Sequence, residues 1–136
     1  MVKVLIDINI VLDVLQARKP FFDASSQLLA AAESGRIRGM VAAHTITTLF
    51  YLVAKDKSIA QAHATITSLL QFLSVATVDQ ATIDQALNLE YQDFEDAVQM
   101  MSAVQSKCGF LVSRNTGDFE PALLPVLSPV DFLATL

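Results

Sequence analysis

Short, nearly uninterrupted apolar runs alternate along this chain with longer stretches whose apolar residues recur at helical spacing. The first run is apolar from Val2 to Ile6 apart from Lys3. A strand without polar alternation is one covered on both faces, as parallel strands are. "IRGMVAA", "SVATVD" and "FLVSRN" read as the second to fourth strands, and "PVLSP" as a fifth. "NIVLDVL" reads as a short helix. "FFDASSQLLAAAESG" follows Pro20 as a second, with Phe22, Leu28, Leu29 and Ala32 on one stripe and Gly35 as its stop. "HTITTLFYLVAK" and "SIAQAHATITSLLQFL" are two helices broken at "KDKS", with Ser58 as a cap. "QATIDQALNLE" and "DFEDAVQMMSAVQSKCG" are two more, the second expected to end at Gly109. "PVDFLATL" closes the chain with Pro129 in its first turn. Strands alternating with helices predict an α/β domain with a mainly parallel sheet.

The 136 residues fit one domain, 1–136, with no repeat, low-complexity tract or linker to divide it. At 53% hydrophobic and 17% charged, the chain is globular rather than disordered. A single cysteine, Cys108, excludes an internal disulfide and agrees with a reducing compartment. No Cys/His spacing suggests zinc. The opening "MVKVLIDINIV" is too short and too early-charged for a signal peptide, and no apolar run reaches membrane length, so a cytoplasmic protein is expected. The net charge of −5 argues against a generally nucleic-acid-binding surface, but not against a local one.

Ligands of open α/β sheets sit at the carboxyl ends of the strands. Asp7 closes the first strand, and Asn115 and Asp118 follow the fourth. Asp93 and Asp96 open a helix three residues apart and so project from one side. Asp96 precedes Ala97, Met100 and Val104, a stripe expected to face the sheet. Like charges brought together repel, and burial disfavours their ionisation. A divalent cation removes that objection: Mg²⁺ and Mn²⁺ take oxygen ligands and retain waters. Such an ion activates water and stabilises a phosphodiester transition state. No conventional nucleophile–base set competes, because His44 and His63 fall in helical segments and neither a G-x-S-x-G elbow nor a P-loop is present.

Each residue also has a structural explanation. Asp7 can be a turn former at a strand end. Asp93 and Asp96 can interact with the helix macrodipole, which suits Asp93 better than Asp96. Asp118 can cap the turn after "NTG". Asp13 reads as a solvated or helix-facing acid, and the Met100–Met101 pair as core. Cys108 reads as a small buried hydrophobe. Of the scattered basic residues, Arg114 is the best placed to meet a phosphate.

In this order, "VLIDINIVLDVL", "DFEDAVQMMSA", and "LVSRNTGDF" followed by "PVLSPVDFL" resemble the PIN-domain family of metal-dependent ribonucleases across nearly the whole chain. The resemblance implies a three-layer α/β/α sandwich with a central parallel sheet. It also implies Mg²⁺- or Mn²⁺-dependent hydrolysis of RNA by water. Many bacterial members are VapC-type toxins, homodimers held inactive by a cognate antitoxin protein. Carried over, Asp7 is the central metal ligand and Asp96 the second, while Asp118 completes the site directly or through water. Asn9 steadies the Asp7 loop or a metal-bound water, Asn115 and Ser113 support from the last strand, and Asp93 is an extra ligand at the mouth.

One position departs from the family pattern. A Glu is usual early in the helix after the second strand, and the matching residue in "VAAHTITTLFYL" is Thr48. A hydroxyl is a poorer Mg²⁺ ligand and brings no charge, so weaker metal affinity follows, with Thr47 or His44 as partial substitutes. The competing function is therefore a catalytically weakened PIN-like module that binds RNA or a partner protein. A phosphatase-like metal hydrolase on another α/β sheet is more distant, because it needs an aspartyl nucleophile and an electrophilic Lys that are not evident.

Overall fold

The computed structural model describes residues 1–136. Five strands, β1 (Lys3–Ile6), β2 (Arg38–Ala42), β3 (Ser74–Ala76), β4 (Phe110–Val112) and β5 (Val126–Leu127), form one sheet in the order β3-β2-β1-β4-β5. Every pairing is parallel, so the expected mainly parallel sheet is wholly so. β1 is central: Val4 stands opposite both Gly39 and Phe110, and Val4, Leu5 and Ile6 are fully buried. Because the chain leaves β1 for β2 on one side and reaches β4 on the other, a crevice opens between the ends of β1 and β4.

Seven helices cover the sheet: α1 (Ile8–Leu15), α2 (Phe22–Glu33), α3 (Ala43–Asp56), α4 (Ile59–Leu69), α5 (Gln80–Ala86), α6 (Phe94–Gln105) and α7 (Pro129–Leu133). Side chains alternate along β1 and send it into two cores. Val4 and Ile6 pack with Ile10, Leu28, Leu49, Leu69 and Phe132, drawn from α1 to α4 and α7. Leu5 packs on the opposite face with Met40, Met100, Leu111 and Phe119, beneath α6. This is the expected three-layer sandwich, and no helix is long and apolar enough to cross a membrane.

Local signals account for most of the boundaries. Ser58 accepts a hydrogen bond from the Gln61 N–H and caps α4, and Pro129 occupies the first turn of α7. Gly35 stops α2 at φ +82°, a backbone conformation that L side chains rarely adopt. Three expectations are corrected. α4 ends at Leu69 rather than running to Leu73. α6 ends at Gln105 instead of Gly109, and Lys107 takes the left-handed conformation after it. Gly109 serves a close approach, since a Cβ there would meet Val2 Cγ2 at 2.9 Å. Val104 is 36% exposed and leaves the apolar stripe, while the run Ala97–Ala103 is buried.

Candidate functional site

Asp7 stands at the junction of β1 and α1, where an aspartate ordinarily caps the helix with its carboxylate. It does not do so, because no helix N–H reaches its side chain. Both oxygens turn inward instead, with the residue 4% exposed. Ser113 Oγ, just past β4, donates to Oδ2 at 2.9 Å, and Gln99 Nε2 on α6 donates to Oδ1 at 3.1 Å. The turn-former account of Asp7 therefore leaves its side chain unexplained. Ser113 Oγ also accepts the Asn115 N–H at 3.0 Å, which ties the Asp7 carboxylate to the loop carrying Asp118.

α6 brings the second carboxylate. Asp96 lies one turn before Gln99, whose Nε2 also reaches Asp96 Oδ1 at 3.4 Å. One buried carboxamide thus joins carboxylates 89 residues apart in sequence. Asp93 accepts the Glu95 N–H and caps α6, so its structural explanation is realised even as it faces the same cleft.

The cleft has a volume of about 480 Å³ and is walled by Glu90, Asp93, Asp96, Asp118 and Glu120. Tyr91 stands edge-on to the buried Phe119 ring and donates its hydroxyl to the Pro121 carbonyl, which fixes the apolar wall. Burial pushes the Asp96 carboxyl up to about 7, assisted by the charges of Asp93, Asp7, Asp118 and Glu95 in falling order. Burial also raises the Tyr91 hydroxyl, with Glu120 and Asp96 adding to the shift. No Lys or Arg neutralises this group, because both of the chain's ion pairs fall on Asp13. As the side chains stand, no three His, Cys, Asp or Glu residues converge to hold one metal ion.

The other expected residues are placed less simply. Asp118 ends a single turn of 3-10 helix, Thr116–Asp118, exposed on the cleft. Asn115 precedes that turn, and its backbone rather than its side chain is engaged. Asn9, in the first turn of α1, makes no side-chain hydrogen bond and is not on the cleft wall. The Thr48 hydroxyl donates to the His44 carbonyl at 3.2 Å, one turn back along α3. His44 has neither ring nitrogen paired, and burial lowers its pKa against the opposing charge of Glu95. His63 packs edge-on against Phe50. Cys108 is buried against Met40, and burial pushes its thiol up to about 11.

Of the two placements expected for Asp13, solvated or helix-facing, the second is realised: it is fully buried and accepts from Ser25 Oγ on α2 at 3.1 Å. The expectation that Arg114 is placed to meet a phosphate is corrected. Arg114 Nε stands 3.0 Å from Asp13 Oδ2, in an ion pair without a directed N–H bond, and its guanidinium stacks 3.9 Å over the Phe21 ring. Arg114 is thus committed to the core of the α1–α2 face, because a fully buried carboxylate needs a counter-charge more than the cleft needs a cation. The site residue missed from sequence is Gln99. Its signal was a lone amide within "AVQMMSA", one turn after Asp96.

Comparison with known proteins agrees with this architecture. The chain is 24% identical over 136 residues to Ribonuclease VapC1 of Aquifex aeolicus (strain VF5), covering 96% of this chain and 92% of that one. A solved structure of DNA-bound VapBC from Salmonella typhimurium superposes with a TM-score of 0.73 at 16% identity, covering 95% of this chain and 99% of the other. A toxin-antitoxin complex from Klebsiella pneumoniae gives a TM-score of 0.70 at 20% identity, covering 93% and 97%. The family model for the PIN domain matches residues 3–117, which takes in β1 to β4 and α1 to α6 and stops just before Asp118, and the chain belongs to the PIN-domain family.

Proposed function

We propose that the protein is an endoribonuclease that uses Mg²⁺ or Mn²⁺ to hydrolyse RNA phosphodiester bonds with water. In this reading it is the toxin half of a toxin–antitoxin pair, a cytoplasmic homodimer restrained by an antitoxin protein. The carrying observation is the Asp7 carboxylate. It stands at a helix start without capping it and is joined through Gln99 to Asp96, which lines a cleft whose acids have no basic partner. The ribonuclease name of the Aquifex aeolicus relative and the toxin–antitoxin origin of the superposed structures support the substrate class and the partner.

The residues present suit a hydrated ion. Mg²⁺ dehydrates reluctantly and binds through one or two carboxylates while keeping waters. Asp7 and Asp96 would be the direct ligands, and Asp118 and Asp93 would accept from its waters. Bound there, the ion would supply an acidified water and positive charge against the negative charge that builds up on the phosphate oxygens. Ser113 and Gln99 hold the Asp7 oxygens in a fixed orientation. Asp96, with its carboxyl near 7, must shed a proton before it can ligate. Five carboxylates around the cleft repel an RNA phosphate, so substrate approach also depends on the cation.

The decisive experiment is cleavage of a fluorogenic single-stranded RNA with Mn²⁺, with EDTA, and by Asp96→Asn. Cleavage should need metal and fall by at least about 100-fold in the variant. Cleavage in EDTA, or by Asp96→Asn at the wild-type rate, contradicts the reading. A second reading, a PIN module that binds RNA or a partner without catalysis, is favoured by the Thr48 hydroxyl bonded to its own helix and by the absence of a three-acid cluster. No cleavage by the wild type, with no thermal shift at millimolar Mn²⁺, supports it.

A further inference from the structure

Gln99 is 1% exposed in the middle of α6, with Val98, Met100 and Met101 buried around it. A carboxamide buried among apolar side chains costs about 1–3 kcal/mol unless it is hydrogen-bonded. All of its bonds go to the two carboxylates: Nε2 is 3.1 Å from Asp7 Oδ1 and 3.4 Å from Asp96 Oδ1, one N–H for each. Oε1 is buried and has no partner. Rotating the amide by 180° would set Oε1 against two carboxylate oxygens, so its orientation follows from the acceptors. A Met or Leu would fill the same space and leave no amide oxygen unpaired, but it would strip Asp7 Oδ1 and Asp96 Oδ1 of their common donor.

We propose that Gln99 is a positioning residue of the metal site. Its carboxamide holds the Asp7 and Asp96 carboxylates as one unit, oriented for a shared cation. The proposal rests on the metal-dependent reading above. A carboxylate oxygen has more than one lone pair, so the amide and the cation can share Asp7 Oδ1 and Asp96 Oδ1. Without the amide, the two like charges have no common donor and separate.

The test is Mn²⁺ binding by calorimetry to the full chain and to Gln99→Met, with Gln99→Leu as a second variant of different shape. The expected result is a Kd raised about 10- to 100-fold, the usual effect of removing a partner of a metal ligand. At saturating Mn²⁺, cleavage should recover towards the wild-type rate with an unchanged KM for RNA, which a damaged fold would not allow. Should both variants fail to fold, Mg²⁺ titration of the wild type followed by the Gln99 side-chain amide resonances decides. They should shift with the same Kd as binding, and binding without that shift overturns the proposal. Equal or tighter Mn²⁺ binding by Gln99→Met overturns it too, because the amide then competes with the cation, and leaves the nuclease reading intact. A wild type that binds no Mn²⁺ removes both.

Discussion

Ser113 Oγ stands 2.9 Å from Asp7 Oδ2, a hydrogen bond between residues 106 positions apart that ties the end of β1 to the end of β4. Both groups are buried, and the same hydroxyl accepts the Asn115 N–H. Ser113→Ala therefore strips a donor from a buried carboxylate and an acceptor from the loop. A loss of about 1.5–3 kcal/mol is expected from urea denaturation. A change within experimental error would show that water already serves Asp7.

The acidity of Asp96 makes the metal-free protein sensitive to pH. Its carboxyl rises from an ordinary 3.8 to about 7 on folding. Between those values the folded chain keeps a proton that the unfolded chain has lost. The contribution of Asp96 to stability is thus greatest below about pH 4, declines as pH rises, and reaches its reduced level above about pH 7. Asp96→Asn should flatten this slope and make the protein more stable than wild type at pH 8 in EDTA, by on the order of 1–2 kcal/mol once partial exposure is allowed for. Urea melts of both proteins at pH 5 and 8 measure it.

Metal should act in the opposite sense to protons. Mn²⁺ at millimolar concentration is expected to raise the melting temperature, more at pH 8 than at pH 6, because ligation requires ionised Asp96. Asp7→Asn should abolish most of the shift. Differential scanning fluorimetry reads both, and a shift retained in Asp7→Asn would move the ion elsewhere.

Arg114 belongs to stability rather than to substrate binding. Arg114→Ala leaves Asp13 fully buried, with the Ser25 hydroxyl as donor and Arg18 Nη1 at 3.9 Å as its one remaining counter-charge. A loss of roughly 3 kcal/mol is expected, near the low end for breaking a buried pair because Arg18 remains. If the residue met RNA phosphates instead, the variant would keep its stability and reduce the salt dependence of RNA binding.

Thr48 offers a gain of function. Its hydroxyl is bonded within α3, so nothing in the site depends on it. Thr48→Glu should tighten Mn²⁺ binding by about tenfold or more, if the added acid reaches the site as the family pattern implies. Calorimetry measures this directly, and an unchanged Kd would mean that residue 48 does not bear on the ion.

Much of this protein is legible in its sequence because much of it is local. Apolar runs such as Val4–Ile6 mark buried strands, Ser58 and Pro129 mark helix starts, and Asp7 announces itself by ending the first strand. Gly109 has the look of a helix stop in sequence, but it answers to Val2 across the sheet, and α6 ends at Gln105. Sequence alone determined the strand–helix alternation and the order in which the acids arrive. Only the tertiary structure decided that Gln99 bridges Asp7 and Asp96, that Arg114 turns to Asp13, and that the Thr48 hydroxyl stays within its helix. The physical reason is range: periodicity and capping act within a turn or two of chain, whereas these partners were chosen by packing between distant segments, where an unpaired buried charge is too costly to leave.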